Sequence, residues 1–212
     1  MKNRIHQNLK SLRDSVNVDI MAVTKYVTAE VIQCLVDEGV MLIGENKVQD
    51  ALKKQALVHG ASQWELIGHL QSNKVKQAVT HFKRIASADS LRLLQLINEE
   101  AKKQNKVMPI LLQVNIAKEE SKFGFEQEVL LKERAHIFSL LNIEIQGIMV
   151  IAPYAEDPEE SRLFFRQGKH LFDELKADYS SLSVLSMGMS HDYKVAIEEG
   201  STLIRIGSLL FH

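Results

Sequence analysis

Val23-Thr24-Lys25-Tyr26-Val27-Thr28 overlaps the end of the first apolar run of the chain, Ile20–Thr24, and holds no glycine. An open, doubly wound sheet would place a glycine-rich phosphate turn at this junction. Its absence favours a closed parallel barrel, and the rest of the chain agrees. Seven more short apolar runs recur: Val40–Ile43, Trp64–Ile67, Arg84–Ala86, Ile110–Val114, Ile145–Val150, Leu182–Leu185 and Leu203–Ile206. They are rich in β-branched and aliphatic residues and apolar on both faces, the pattern of parallel strands covered by helices.

Amphipathic stretches lie between these runs. The spacing predicts helices over Ala29–Glu38, stopped at Gly39, over Asn46–Val58, ending near Gly60, and over Ser72–Val79, Ser90–Gln104 and Gln127–Leu141. Two more cover Glu159–Lys176 and Asp192–Glu199, the latter stopped at Gly200, and another, roughly Lys2–Ser15, precedes the first strand. Strands alternating with helices imply βαβ units. Eight such strands in 212 residues suit an α/β fold, a single (β/α)₈ TIM-type barrel with an extra N-terminal helix. Only Pro109, Pro153 and Pro158 interrupt the chain, and no low-complexity linker divides it, so residues 1–212 are expected to form one domain.

The composition narrows the function classes. With 45% hydrophobic and 25% charged residues and a formal net charge of -1, the chain has no electrostatic bias toward nucleic acid or membrane surfaces. Lys and Arg are distributed rather than clustered with aromatics, against an RNA-binding face. Met1-Lys2-Asn3-Arg4-Ile5-His6-Gln7 starts positively, but no apolar leader core follows. No apolar run reaches the roughly 18 residues of a membrane span. Cys34, the one cysteine, excludes an intrachain disulfide and fits a reducing compartment; it falls among Ile32, Leu35 and Val36 as core filler. A cytoplasmic location and a monomeric state are expected.

Barrels of this kind assemble their sites at the C-terminal ends of the strands, often with a phosphate held after strands seven and eight. Lys25 directly follows the first strand. Partly desolvated there, its amine could attack an aldehyde to form an imine; the plainer reading is a solvated strand-end lysine. Ser186-Met187-Gly188-Met189-Ser190-His191-Asp192 follows the seventh strand. Gly188 permits a tight turn, and Ser190 stands as N-cap of the next helix, either at a phosphate site or in plain capping. Arg205-Ile206-Gly207-Ser208 ends the eighth strand. Gly207 would let the backbone approach a ligand closely, and Ser208 could add an N–H and a hydroxyl. Closure makes the first and last strands neighbours, so Lys25 and this turn converge. Arg205, inside an apolar strand, needs an acceptor: a ring nitrogen of a ligand or the carboxylate of a structural ion pair. Gly44-Glu45-Asn46-Lys47 and Gly68-His69-Leu70-Gln71-Ser72-Asn73-Lys74 bring polar groups to the same rim, where Asn46 and Ser72 could equally serve as N-caps. The eight histidines are scattered, with no His-x-x-x-His pair and no cysteine partner, so no metal site is expected. A nucleophile elbow and a P-loop are both absent.

Taken in order, these stretches resemble a known family. Val23-Thr24-Lys25, Gly44-Glu45-Asn46-Lys47-Val48-Gln49-Asp50 and Trp64 to Lys74 are followed by Ser87-Ala88-Asp89-Ser90, Gln113-Val114-Asn115 and Lys122-Phe123-Gly124. Gly147-Ile148-Met149-Val150, Leu185 to Ser190 and Arg205-Ile206-Gly207 complete the set. Each motif is weak alone; the ordered set is specific and spans nearly the whole chain. It resembles the pyridoxal 5′-phosphate (PLP) homeostasis proteins, single-domain relatives of the PLP-binding barrel of alanine racemase, a type III PLP fold. Ile43 stands where the family usually has an aromatic, and Phe211-His212 where it usually has Phe-Gly; neither touches the proposed attachment point.

The resemblance implies that Lys25 holds PLP as a Schiff base. It implies that Ser190 and the backbone of Gly207 and Ser208 hold the phosphate, that Arg205 faces the pyridine nitrogen, and that Asn46 lies near the ring. A guanidinium cannot give its proton to the ring, which leaves the ring a poorer electron sink. The expected role is therefore a non-catalytic PLP carrier or buffer with indirect effects on amino-acid and keto-acid balance, its partners PLP and PLP-dependent apoenzymes. The alternative is a PLP-dependent racemase or related enzyme. Racemisation needs proton-handling groups on both faces of the substrate. Lys25 supplies one, and the chain has no room for the β-rich second domain that completes an alanine racemase. A third reading, a scaffold barrel with incidental PLP, leaves the convergence of Lys25, Ser190 and Arg205 without a purpose.

Overall fold

In the computed structural model, which describes residues 2–119 and 122–212, eight parallel strands close into a barrel in sequence order, β1-β2-β3-β4-β5-β6-β7-β8. Met1, at the head of the stretch inspected for a leader, lies outside the described residues, as do Glu120 and Ser121. The strands are β1 (Asp19–Val23), β2 (Leu42–Glu45), β3 (Gln63–Leu66), β4 (Arg84–Ala88), β5 (Met108–Val114), β6 (Ile143–Val150), β7 (Val184–Met189) and β8 (Leu203–Ile206). Helix α1 (Lys2–Ser15) precedes them. Helices α2 (Ala29–Asp37), α3 (Val48–Gln55), α4 (Val75–His81), α5 (Leu91–Lys103), α6 (Gln127–Phe138), α7 (Arg162–Asp178) and α8 (Tyr193–Glu198) fill the crossovers. Single 3₁₀ turns at Ser72–Lys74 and Pro158–Ser161 lead into α4 and α7, and a short α9 (Ser208–Phe211), not anticipated from the sequence, follows β8.

Alternation along each strand decides what faces where. On β8, Ile204 and Ile206 join the large apolar cluster packed beneath the helices, which leaves Leu203 and Arg205 on the inner side. On β7, Leu185 and Met187 face outward, and the inner Ser186 meets Arg205. A second, small cluster, Ala86, Leu111 and Met149 with Ile67 and Val184 against it, comes from strands and their ends alone, so it fills the barrel interior. Closure is made by β1 and β8, where Asp19 pairs with Leu203 and Ala22 with Ile206. This pairing brings the segment after β1 beside the segment after β8.

Candidate functional site

At the C-terminal ends of the strands a cavity of about 600 Å³ opens between the loops. Lys25, Asn46, Ser190, Arg205, Gly207 and Ser208, the six residues singled out from the sequence, all line it. So do Val23, Tyr26, Val27, Ile67, Ile151, Met189, His191, Phe211 and His212, which sequence reasoning passed over. They are apolar or aromatic residues at strand ends, in the loops and in α9, and nothing in their local pattern distinguishes them from rim filler.

Arg205 is 4% exposed. It donates from Nη1 to Ser186 Oγ at 2.7 Å and from Nη2 to the carbonyl of Val150 at 2.9 Å. Both acceptors are neutral, and no carboxylate forms a salt bridge with it among the described residues. The structural ion pair considered from the sequence is therefore not formed. Burial pushes its pKa down to about 10, against a smaller opposing effect of Asp192. The guanidinium remains a cation at neutral pH.

The neighbouring strands β7 and β8 supply an oxygen cradle. Ser190 Oγ accepts the backbone N–H of Gly207 at 3.1 Å and that of Leu209 at 3.4 Å. Ser190 is thus not the N-cap of α8; Asp192 holds that position, and its Oδ1 accepts the N–H of Met189 at 2.6 Å. Gly188 lies inside β7, at a register irregularity rather than in the tight turn expected, with φ at +93° and no room for a Cβ, which would lie 2.5 Å from that of Ala196. At Gly207 a Cβ would meet only Val23, at ordinary distances from 3.5 Å, so the protein itself leaves space there.

Across the cavity, Lys25 lies in a turn closed by the N–H of Val27 on the Thr24 carbonyl at 3.1 Å. Of the two readings of Lys25, the solvated strand-end lysine is the one seen: the residue is exposed, and Nζ sits 5.0 Å from the ring centre of Tyr26, itself 90% exposed. Beneath this turn lies a buried polar set that the sequence reading missed. Thr24 Oγ1 donates to Glu45 Oε1 at 2.6 Å, and Lys54 Nζ donates to the same oxygen at 2.7 Å and to the Thr24 carbonyl at 2.8 Å. A glutamate in an apolar strand was the available signal.

Asn46 follows β2 against Gly68, whose missing side chain lets the two loops touch; a Cβ would lie 2.3 Å from the Asn46 carbonyl oxygen. Neither Asn46 nor Ser72 caps a helix. The N-cap of α3 is Lys47 and that of the 3₁₀ turn is Gln71, both without a side-chain bond. Nearby, His69 Nδ1 lies 2.7 Å from Asp89 Oδ2, and its ring stacks on Phe123 at 3.7 Å. Among the described residues no cluster of three or more His, Cys, Asp or Glu is arranged to hold a metal, and no helix is long and apolar enough to cross a membrane.

A parallel barrel with a lysine after its first strand and an oxygen cradle after its last two defines a class. The profile described as "Alanine racemase, N-terminal domain" matches residues 2–212. The chain belongs to this family, and within it to the pyridoxal phosphate homeostasis proteins. It is 43% identical over 194 residues to the pyridoxal phosphate homeostasis protein of Aquifex aeolicus, covering 91% of this chain and 85% of that one. It is 36% identical over 198 residues to that of Synechocystis, covering 92% and 91%. PipY of Synechococcus elongatus, solved with PLP bound, superposes with a TM-score of 0.92 at 36% identity, over 98% of this chain and 100% of that one. Alanine racemase of Clostridium difficile shares the fold alone, with a TM-score of 0.87 at 16% identity over 99% of this chain and 56% of the racemase.

Proposed function

We propose that this barrel binds PLP through Lys25 and serves in cellular PLP homeostasis, holding the cofactor and giving it up to PLP-dependent apoenzymes. The observation that carries the reading is the convergence, in one cavity, of a primary amine after β1 with an oxygen cradle after β7 and β8. The residues present fit the group. The backbone N–H groups of Gly207 and Leu209 already aim at one oxygen, that of Ser190, and Gly207 leaves open the space a phosphate would enter. When bound, PLP supplies an aldehyde for an amine to capture and a ring that can withdraw electrons.

Lys25 would hold the aldehyde carbon. Ser190, Gly207 and Ser208 would hold the phosphate, Arg205 would face the ring nitrogen, and Asn46 would border the ring. Arg205 keeps its protons, so it gives the ring none and leaves it a weak electron sink. Such a site favours retention over carbanion chemistry, and relatives named as homeostasis proteins rather than enzymes support this reading over racemisation. The same reading takes the chain as one domain, monomeric and cytoplasmic.

The test is the visible spectrum of purified protein with added PLP, before and after borohydride, for wild type and Lys25→Ala. The reading expects an absorption band that borohydride removes, with pyridoxyl mass fixed on Lys25 and neither in the variant. Wild-type protein that gains no band would end it. Racemisation of alanine at an enzyme-like rate, lost in Lys25→Ala, would replace the carrier with a catalyst.

A further inference from the structure

We infer that Glu45, Lys54 and Thr24 form a positioning device for Lys25, setting how fast its amine captures the aldehyde rather than how well the cavity holds the phosphate. The inference rests on the cofactor reading above and goes beyond it to residues outside the cavity lining. The Thr24 carbonyl belongs to the peptide group whose nitrogen is that of Lys25. It accepts two hydrogen bonds, from Val27 N–H at 3.1 Å, which closes the turn around Lys25 and Tyr26, and from Lys54 Nζ at 2.8 Å. A peptide plane held from both sides fixes the direction in which the Lys25 side chain leaves the backbone.

The clamp is itself anchored. Thr24 donates its backbone N–H to Gly44 O at 3.0 Å and its hydroxyl to Glu45 Oε1 at 2.6 Å, while Lys54 bridges that same carboxylate oxygen at 2.7 Å. Thr24 and Glu45 are fully buried, and Lys54 is largely so. One ion pair thus joins the end of β2 and the last turn of α3 to the turn after β1. A packing role alone would be met at less cost by apolar residues, since burying a charge pair costs desolvation that hydrophobic replacements avoid. What the pair adds is direction, which matters because Lys25 is itself exposed and its side chain has no packing to aim it beyond the Tyr26 ring.

In the step concerned, the neutral Lys25 amine would bond to the aldehyde carbon as the C=O bond breaks, and the aldehyde oxygen would leave as water carrying the two protons of that amine. Its rate depends on how often the amine meets the carbon from the face of the carbonyl, and small misplacements cost heavily. Pyridoxine 5′-phosphate, an alcohol in place of the aldehyde, fills the same cavity without this step and so separates the two roles.

The experiment compares full-length wild type, Lys54→Met, Lys54→Arg and Glu45→Gln. Calorimetry gives the affinity for pyridoxine 5′-phosphate, and stopped-flow absorbance gives the rate of PLP capture, with borohydride-fixed mass on Lys25 as the end point. In Lys54→Met the capture rate is expected to fall about tenfold or more while affinity for the alcohol stays within about twofold, and Lys54→Arg recovers part of the rate by restoring a donor. Glu45→Gln falls between them. Should Lys54→Met not fold, Thr24→Val, which deletes the hydroxyl's bond to Glu45 and its longer one to the Gly44 carbonyl while leaving Lys54 in place, carries the same comparison. Unchanged capture rates, or rate and alcohol affinity falling together, would overturn the positioning role. Wild-type protein that fixes no pyridoxyl on Lys25 would overturn the cofactor reading beneath it.

Discussion

Ser190 Oγ accepts the backbone N–H of Gly207 across 3.1 Å, so a side chain from the loop after β7 occupies the donors presented by the turn after β8. Sequence places these residues far apart, and the barrel makes them partners. Replacing Ser190 with alanine removes an acceptor shared by Gly207 and Leu209. Stability should fall by about 1 kcal/mol, the usual net worth of such a bond. Affinity for pyridoxine 5′-phosphate should drop about tenfold as the cradle loses its hydroxyl. Denaturant unfolding and calorimetric titration check the two separately.

Gly188→Ala should act on the fold first. Its φ of +93° and the 2.5 Å approach of the added Cβ to Ala196 leave alanine neither the conformation nor the space. A loss of about 1–3 kcal/mol is expected in chemical denaturation, with weakened ligand binding following from the displaced Ser190 loop.

Arg205→Met removes a buried cation that has only neutral partners. The folded protein should be as stable or more so at neutral pH, because the cost of burying the charge disappears with it. The sign follows from burial lowering the pKa of Arg205 to about 10. Below that pH the guanidinium is charged in both states, and its burial cost is fully present. As pH rises above about 10, it loses its proton in the folded state first, and the cost declines. The stability difference between wild type and variant should therefore be flat between about pH 6 and 9 and narrow only above it. Unfolding curves across that range would show it.

Glu65 and Arg84, at the other end of the barrel, make the opposite case. Arg84 Nε and Nη2 meet the two Glu65 oxygens at 3.0 and 2.8 Å. Burial still pushes the Glu65 carboxyl above its ordinary range, with Arg84 opposing. Arg84→Ala would strand a buried carboxylate, at about 3–5 kcal/mol. A raised folded pKa means that the protonated acid is the form the fold tolerates, and stability is lost as pH rises through it. The variant should thus lose less near pH 4 than near pH 8, as thermal melts at the two pH values would reveal.

Most of the barrel was legible because its rhythm is apolar. Helix Lys2–Ser15 and strand Leu203–Ile206 lie where periodicity put them. The misplacements have a common cause, polar residues that the fold satisfies internally. The second strand was expected at Val40–Ile43 and runs Leu42–Glu45. Val40 instead completes the end of α2, its N–H on the Leu35 carbonyl, and Glu45 continues the strand because Thr24 and Lys54 neutralise it. The seventh was expected at Leu182–Leu185 and runs Val184–Met189, since Ser186 is buried against Arg205 and Gly188 lies in the strand. That six of the singled-out residues would share one cavity was legible because strand ends converge in a barrel. The clamp on Thr24 was not, since its members are 30 and 9 residues apart and meet only after closure.

That closure orders the life of the chain. The seam joins residues 19–22 to residues 203–206, so the cradle and the amine meet only once β1 and β8 have paired. A ligand held by Lys25 on one side and Gly207 on the other, as proposed above, would be a rivet across the junction of β1 and β8. It would secure the place where the barrel unzips, so occupancy of the cavity and integrity of the seam would rise and fall together.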